Sequence, residues 1–168
     1  MKVKIIRVND NQIIDAQIKQ SSSFILPSIT DGWQFNFKRH VKKAGNQTFV
    51  LVCDESPNSI EGCLTFQLRG AVEPYMCYIE IAPKNKGKTK LYDKVAGCLI
   101  AYACRLSFLN GLEHFKGWLT FDVMEEDKQD EIKLMAIYCQ KYGALKWGKT
   151  TMVISPEIGE QLIDKFLS

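Results

Sequence analysis

The chain lacks a long hydrophobic run. No apolar stretch reaches the roughly 20 residues that span a bilayer, so no membrane partner is expected. The N-terminus, MKVKIIRVND, has neither the apolar region nor the small-residue cleavage site of a secretory leader. It reads as an opening strand, and the chain as cytoplasmic. Histidine is scarce, and His40 and His114 stand apart from each other and from any cysteine pair. The six cysteines, Cys53, Cys63, Cys77, Cys98, Cys104 and Cys139, include no Cys-x-x-Cys spacing, so no metal site is expected. Most lie in apolar segments and read as buried free thiols in a reducing compartment. Strong charge of one sign is missing too. Lys and Arg total 22 against 19 Asp and Glu, a net charge of +3. Outside residues 84–94 the basic residues are spread out, so nucleic acid is not an expected partner. Repeats, linkers and low-complexity tracts are absent. With 168 residues, 46% hydrophobic and 24% charged, the composition is that of one globular domain over residues 1–168.

Periodicity gives the elements. Lys2–Val8 reads as a strand, and IIDAQIKQ (13–20), after an Asn9–Asp10 cap, as a short helix. In residues 31–45, Trp33, Phe37 and Val41 recur every fourth residue, which predicts a second helix ended by Gly45. Apolar runs at 48–53, 61–68 and 75–82 predict three strands joined by short links, an antiparallel meander. Residues 91–109 predict a long helix buried on most sides. A strand at 117–123, an amphipathic helix at 127–142, a strand at 150–155 and a terminal helix at 156–166 follow. The order β-α-α-β-β-β-α-β-α-β-α predicts an α/β domain with one mixed sheet.

The segment IAPKNKGKTKLYDKVAG (81–97) carries five lysines between an apolar run and the long helix. It suits an anion, and two phosphate chemistries fit such a place. One is a nucleotide-binding loop. Residues 82–89 read A-P-K-N-K-G-K-T, in which Gly87-Lys88-Thr89 fits, and WLTFD (118–122) offers a strand ending in Asp. Ala82 replaces the first glycine, Pro83 removes an N–H, and the meander before it is not the parallel sheet such a loop needs. The other is a diphosphate held at a helix N-terminus, where free N–H groups and the dipole favour negative charge and small residues permit close approach. Val95-Ala96-Gly97 supplies two small residues there. A solvated lysine-rich loop is the plain alternative.

YIEIAPKN, LYDKVAGCLIAYACRLSF and YCQKYGA, with the element order, resemble the GNAT superfamily of acetyl-CoA-dependent N-acetyltransferases. The resemblance covers nearly the whole chain and is closest to small bacterial members. It implies a mostly antiparallel central sheet, splayed at the fourth strand, with flanking helices. The superfamily's diphosphate motif, Gln/Arg-x-x-Gly-x-Gly/Ala, falls on Leu91-Tyr92-Asp93-Lys94-Val95-Ala96. Leu91 and Lys94 depart from it, while Ala96 conforms. A second frame, Lys86–Leu91, keeps a basic first residue but neither glycine. The resemblance implies acetyl-CoA as cosubstrate, bound by Ile81, Ala82, Asn85, Lys90, Tyr92, Lys94, Val95, Ala96 and Gly97. The strand around Glu80–Ala82 would leave backbone groups free for the pantetheine arm.

The resemblance also implies catalytic roles. Glu80 stands where some members place a base for the acceptor amine, and Tyr138 is the candidate acid for the leaving thiolate. A glutamate satisfied by a neighbouring cation, and a core tyrosine, are the plain readings of the same residues. Tyr138 lies five residues before Gly143 rather than the four common in the family, and Tyr142 is an alternative. Trp33, Phe35, Phe37 and Trp147 belong either to the acceptor pocket or to the core. The implied activity is acetyl transfer to a primary amine of a small molecule or protein by direct attack. The departures at Leu91, Lys94 and Cys139 motivate a second reading, a binding or regulatory module. A third is a toxin-like acetyltransferase of aminoacyl-tRNA. Monomer and homodimer are both compatible with the sequence.

Overall fold

Strand β1 (Lys2–Arg7) turns back at once into β2 (Gln12–Gln20) in the computed structural model, which describes residues 1–168. The pairing runs antiparallel from Lys2↔Gln17 to Arg7↔Gln12. Residues 13–20 are therefore a strand and not a helix. Ile14 and Ile18 are four apart, a spacing that serves a helix face and a strand face alike. Ile14, Ala16 and Ile18 are the buried set, which is a period of two. Asn9 and Asp10 belong to the hairpin turn, not to a helix cap, and Asn11 there has φ 56°.

The predicted helix over 31–45 shrinks to one turn, α1 (Phe37–His40), because the backbone before it is claimed from elsewhere. The N–H groups of Gln34 and Phe35 donate to the Glu80 carboxylate at 2.8 and 2.9 Å. The fourfold spacing still marks burial: Trp33 and Phe37 pack edge to face at 5.9 Å.

Strands β3 (Gln47–Cys53), β4 (Gly62–Arg69) and β5 (Glu73–Ile81) form the meander. Next, β6 (Tyr92–Asp93) pairs with β1, so helix α2 starts only at Val95 and runs to Asn110. Strand β7 (Leu119–Asp122), helix α3 (Lys128–Tyr142), strands β8 (Leu145–Lys146) and β9 (Thr151–Ile154) and helix α4 (Pro156–Phe166) complete the chain. One sheet of nine strands results, in the order β6-β1-β2-β3-β4-β5-β7-β9-β8.

Both faces of the sheet are covered. Phe49, Leu51 and Cys53 join the main core with α2 and α4, while Val50 and Val52 point to a smaller cluster with Leu26, Trp33 and Phe37. A strand buried on two sides reads as the unbroken apolar run TFVLVC. No helix is long and apolar enough to cross a membrane.

Every neighbouring strand pair is antiparallel except β5 and β7, which are parallel and meet at one pair, Tyr75↔Thr120. Past it they part. In β5 the register slips by one residue at Cys77, a bulge that bends the strand. The split therefore opens at β5, the fifth strand, since the early hairpin adds a strand ahead of the expected fourth.

Candidate active site

The split forms the mouth of a cavity of about 490 Å³. Its walls are the second half of β5, the 34–35 backbone, the first turn of α2, the end of β7 and one face of α3. The Ala82 N–H donates to the Glu61 carbonyl at 2.9 Å. By the alternation of an antiparallel ladder, Glu80 and Ala82 then address β4 with their backbone. The N–H and C=O groups of Ile79 and Ile81 face the opposite way, into the split. Of the stretch Glu80–Ala82, where free backbone groups were expected, only Ile81 turns its backbone to the split.

Helix α2 presents its N-terminus to the same space. The Cys98 N–H is the first to reach back, to Lys94 O, which leaves the N–H groups of Val95, Ala96 and Gly97 without intrahelical acceptors. The cap residue Lys94 has φ 70° and ψ 2°, a left-handed conformation that favours glycine. This explains why a glycine suits that motif position. The Lys94 side chain is exposed and makes no ion pair. The Asp93 carboxylate accepts from Lys94 N at 2.8 Å and pairs with Lys90 at 3.1 Å. Burial alone would raise the Asp93 carboxyl, but the Lys94 N–H and Lys90 outweigh it and hold it below its ordinary value.

Of the proposed cosubstrate residues, Ile81 and Ala96 line the cavity. Of the others, the side chains of Asn85, Tyr92 and Val95 and the smallness of Gly97 have partners within the fold. Asn85 is buried; its amide donates to Glu61 Oε2 at 2.8 Å and accepts from Tyr92 N at 3.1 Å, tying the 83–92 loop to the sheet. Tyr92 is buried, with its hydroxyl on Glu55 at 3.1 Å. The Val95 side chain packs toward Gly62, where a Cβ would lie 2.9 Å from Val95 Cγ1. Gly97 is small for a different reason than close approach of a phosphate. A Cβ on it would lie no farther than 2.7 Å from three atoms of the Phe166 ring. Three of the five loop lysines are also committed: Lys84 to Glu61 at 2.9 Å, Lys86 to Glu80 at 2.7 Å, and Lys90 to Asp93. Lys88 and Lys94 remain unpaired.

The structure brings Glu80 and Tyr138 to the same cavity. Glu80 is only 6% exposed and accepts three hydrogen bonds, from Gln34 N, Phe35 N and Lys86 Nζ. Its carboxylate is engaged in holding the 34–35 segment against β5. Tyr138 stacks obliquely on Phe121 at 4.8 Å and is half-buried. Burial, then Tyr142 and Glu125, push its phenol well above the ordinary value, so it is protonated at neutral pH. Tyr142 also lines the cavity, its phenol pushed up to about 12 by burial, Asp93 and Cys98. Phe35 is a wall residue, whereas Trp33 and Phe37 are core and Trp147 is 75% exposed elsewhere.

Sequence reading passed over two groups. Glu125 and Lys141 both line the cavity. Lys141 was findable, three residues after Tyr138 on the same helical face. The other group is FKRHVKK (37–43). Lys38, Arg39, Lys42 and Lys43 are exposed, none is in an ion pair, and no acidic residue occurs between Asp31 and Asp54. His40 stacks at 3.9 Å on Tyr78, a wall residue, so this cationic segment adjoins the cavity. Burial, then Arg39 and Lys43, hold the His40 imidazole below its ordinary pKa.

No family model and no curated protein matches the sequence. Solved structures do. The KacTA–DNA complex matches with a TM-score of 0.61 and 15% identity, over 89% of this chain and 99% of that one. AtaTR bound with AcCoA matches at 0.57 and 11%, over 88% and 98%. Spermidine N-acetyltransferase from Vibrio cholerae, in complex with CoA and spermine, matches at 0.52 and 17%, over 74% and 73%. Likeness at these identities speaks to the fold, and it agrees with the split sheet and the helix that starts beside it: this chain has the fold of the GNAT acetyltransferases.

Proposed function

We propose that the protein transfers the acetyl group of acetyl-CoA to a primary amine. One observation carries this reading. The parting of β5 from β7 exposes strand backbone that runs toward the free N–H groups of α2, a continuous path for an extended amide chain ending in a diphosphate. Ile79 and Ile81 would pair with the pantetheine amides. The first turn of α2 would take the diphosphate, with charge from Lys94 and Lys88. Tyr138, protonated and facing the cavity, would donate to the leaving thiolate. The experiment is a calorimetric titration of acetyl-CoA and dephospho-CoA. Micromolar affinity for acetyl-CoA, weakened in Lys94→Glu, is the expected result; no heat at millimolar ligand overturns the reading.

The unpaired cations of 38–43 favour one particular acceptor, an amine carried on RNA such as aminoacyl-tRNA. Phosphodiester contacts made by four such side chains would impose a log–log salt slope of about −3, from roughly 0.7–0.9 per contact. Anisotropy titrations of labelled aminoacyl-tRNA at several salt concentrations test this. A flat salt response, or equal affinity in the Lys42→Glu, Lys43→Glu double variant, would exclude it.

A further inference from the structure

The structure assigns the acceptor's ammonium, and the proton it must lose, to Glu125. This rests on the acetyltransferase reading and names the residue that completes it. An amine is protonated at neutral pH, and only its neutral form attacks a carbonyl carbon, so the cavity needs a carboxylate that is accessible and uncommitted. Three carboxylates line it. Glu80 is closed off by two backbone N–H groups and Lys86. Asp122 accepts from the hydroxyls of Tyr75 at 2.6 Å, Thr150 at 2.9 Å and Thr151 at 2.8 Å. Glu125 forms no ion pair, and its single side-chain hydrogen bond is a long one, 3.3 Å from the Gln34 amide. It is half-buried, three residues beyond the end of β7, in the cavity that Tyr138 also lines. Carboxylate and phenol line the same cavity, the one offered to the amine and the thioester.

The proton balance closes on these two groups. The ammonium gives one proton to the Glu125 carboxylate. Its freed lone pair forms the N–C bond to the thioester carbonyl carbon, and the C–S bond breaks. The departing sulfur takes the Tyr138 hydroxyl proton, and the surplus proton on the new amide nitrogen restores that hydroxyl. Glu125 then releases its proton to solvent, leaving an amide and a free thiol. The charged groups near Glu125 include Asp122 on β7, Glu80 with Lys86 on the β5 side, Lys141 on α3, the adjoining Glu126 and Asp127, and Glu131, which accepts from the Glu125 backbone and pairs with Lys128. None of these cations bonds to Glu125.

Two measurements on the full chain decide the matter. The first needs no turnover and no cosubstrate. Protein labelled at glutamate side-chain carboxyls is titrated with n-propylammonium and followed by carbon NMR. A saturable shift of the Glu125 signal, with Glu80 unmoved, is expected. Uniform, non-saturating drift of all carboxyl signals overturns the assignment. The second compares Glu125→Gln with wild type on an amine that releases CoA. At pH 7 kcat/KM should fall about a hundredfold, with acetyl-CoA affinity unchanged by calorimetry. The deficit should narrow as pH approaches about 10, where the amine loses its own proton. A deficit constant with pH, or none, rules out the proton-accepting role. Absence of acetyl-CoA binding in wild type would instead defeat the acetyltransferase reading, and the ammonium titration would still report on Glu125 by itself.

Discussion

Lys94 and Gly97 stand three residues apart at the start of α2, and their chemistry runs opposite to what the motif position of each suggests. Lys94 occupies a left-handed backbone position that a glycine adopts without strain. Lys94→Gly is therefore expected to stabilise the fold by about 1 kcal/mol, measured by urea unfolding, while weakening acetyl-CoA by removal of a charge. A loss of stability would mean that the lysine stem makes compensating contacts. Gly97 is held small by Phe166 of α4. Gly97→Ala should cost about 1–3 kcal/mol by overpacking, and adding Phe166→Leu should return part of it. If Gly97→Ala left stability intact and abolished acetyl-CoA binding, the glycine would belong to the cosubstrate site after all. A sequence offers no sign of which demand makes a glycine small, because Phe166 lies 69 positions away in the chain.

At the scale of elements, the point where β5 and β7 part is fixed by one carboxylate. Asp122, at the end of β7, accepts from Tyr75 on β5, from Thr151 at the start of β9 and from Thr150 just before it. Burial would raise its carboxyl, but the hydrogen bonds from Tyr75, Thr151 and Thr150 outweigh that and hold it below the ordinary value. A folded pKa below the unfolded one gives stability that is complete above about pH 4 and lost as pH falls through the folded value. The stability gap between wild type and Asp122→Asn should accordingly be constant from pH 5 to 7 and narrow as pH falls below about 4, as read from urea unfolding; a gap independent of pH would deny the carboxylate this role. Local elements were legible in the sequence where local chemistry decides them. Helix α3 begins at its Asp127 cap and ends at left-handed Gly143, and α4 spans the predicted 156–166, with Pro156 as its first residue. Misreadings arose where distant groups decide. The 34–35 backbone is drawn out of a helix by Glu80, from 46 residues away, and β2 is a strand because β1 and β3 flank it. At the site, Glu80 and Tyr138, expected from the resemblance as base and acid, both line the cavity. The commitment of Glu80 and the freedom of Glu125 depend on loop positions that no spacing encodes.

Across the whole molecule, the split divides the sheet into a six-strand part ending at β5 and a three-strand part beginning at β7, with one strand pair and helix α2 bridging them. An extended ligand in the split would replace the missing strand, satisfying β5 backbone on one side and the helix terminus on the other. It would bind only the folded chain, since both halves are needed to form its seat. At acetyl-CoA about 100-fold above its Kd, such linkage adds about 2.7 kcal/mol to the unfolding free energy. For a chain of this length that corresponds to a rise in Tm of roughly 5–11 °C. Differential scanning calorimetry against ligand concentration measures it. Because the ligand replaces strand pairing, single-domain unfolding should stay one transition that moves upward intact. A separate transition that alone responds to ligand would show that the β7–β9 part melts independently and that the cosubstrate, not the sheet, joins the two halves.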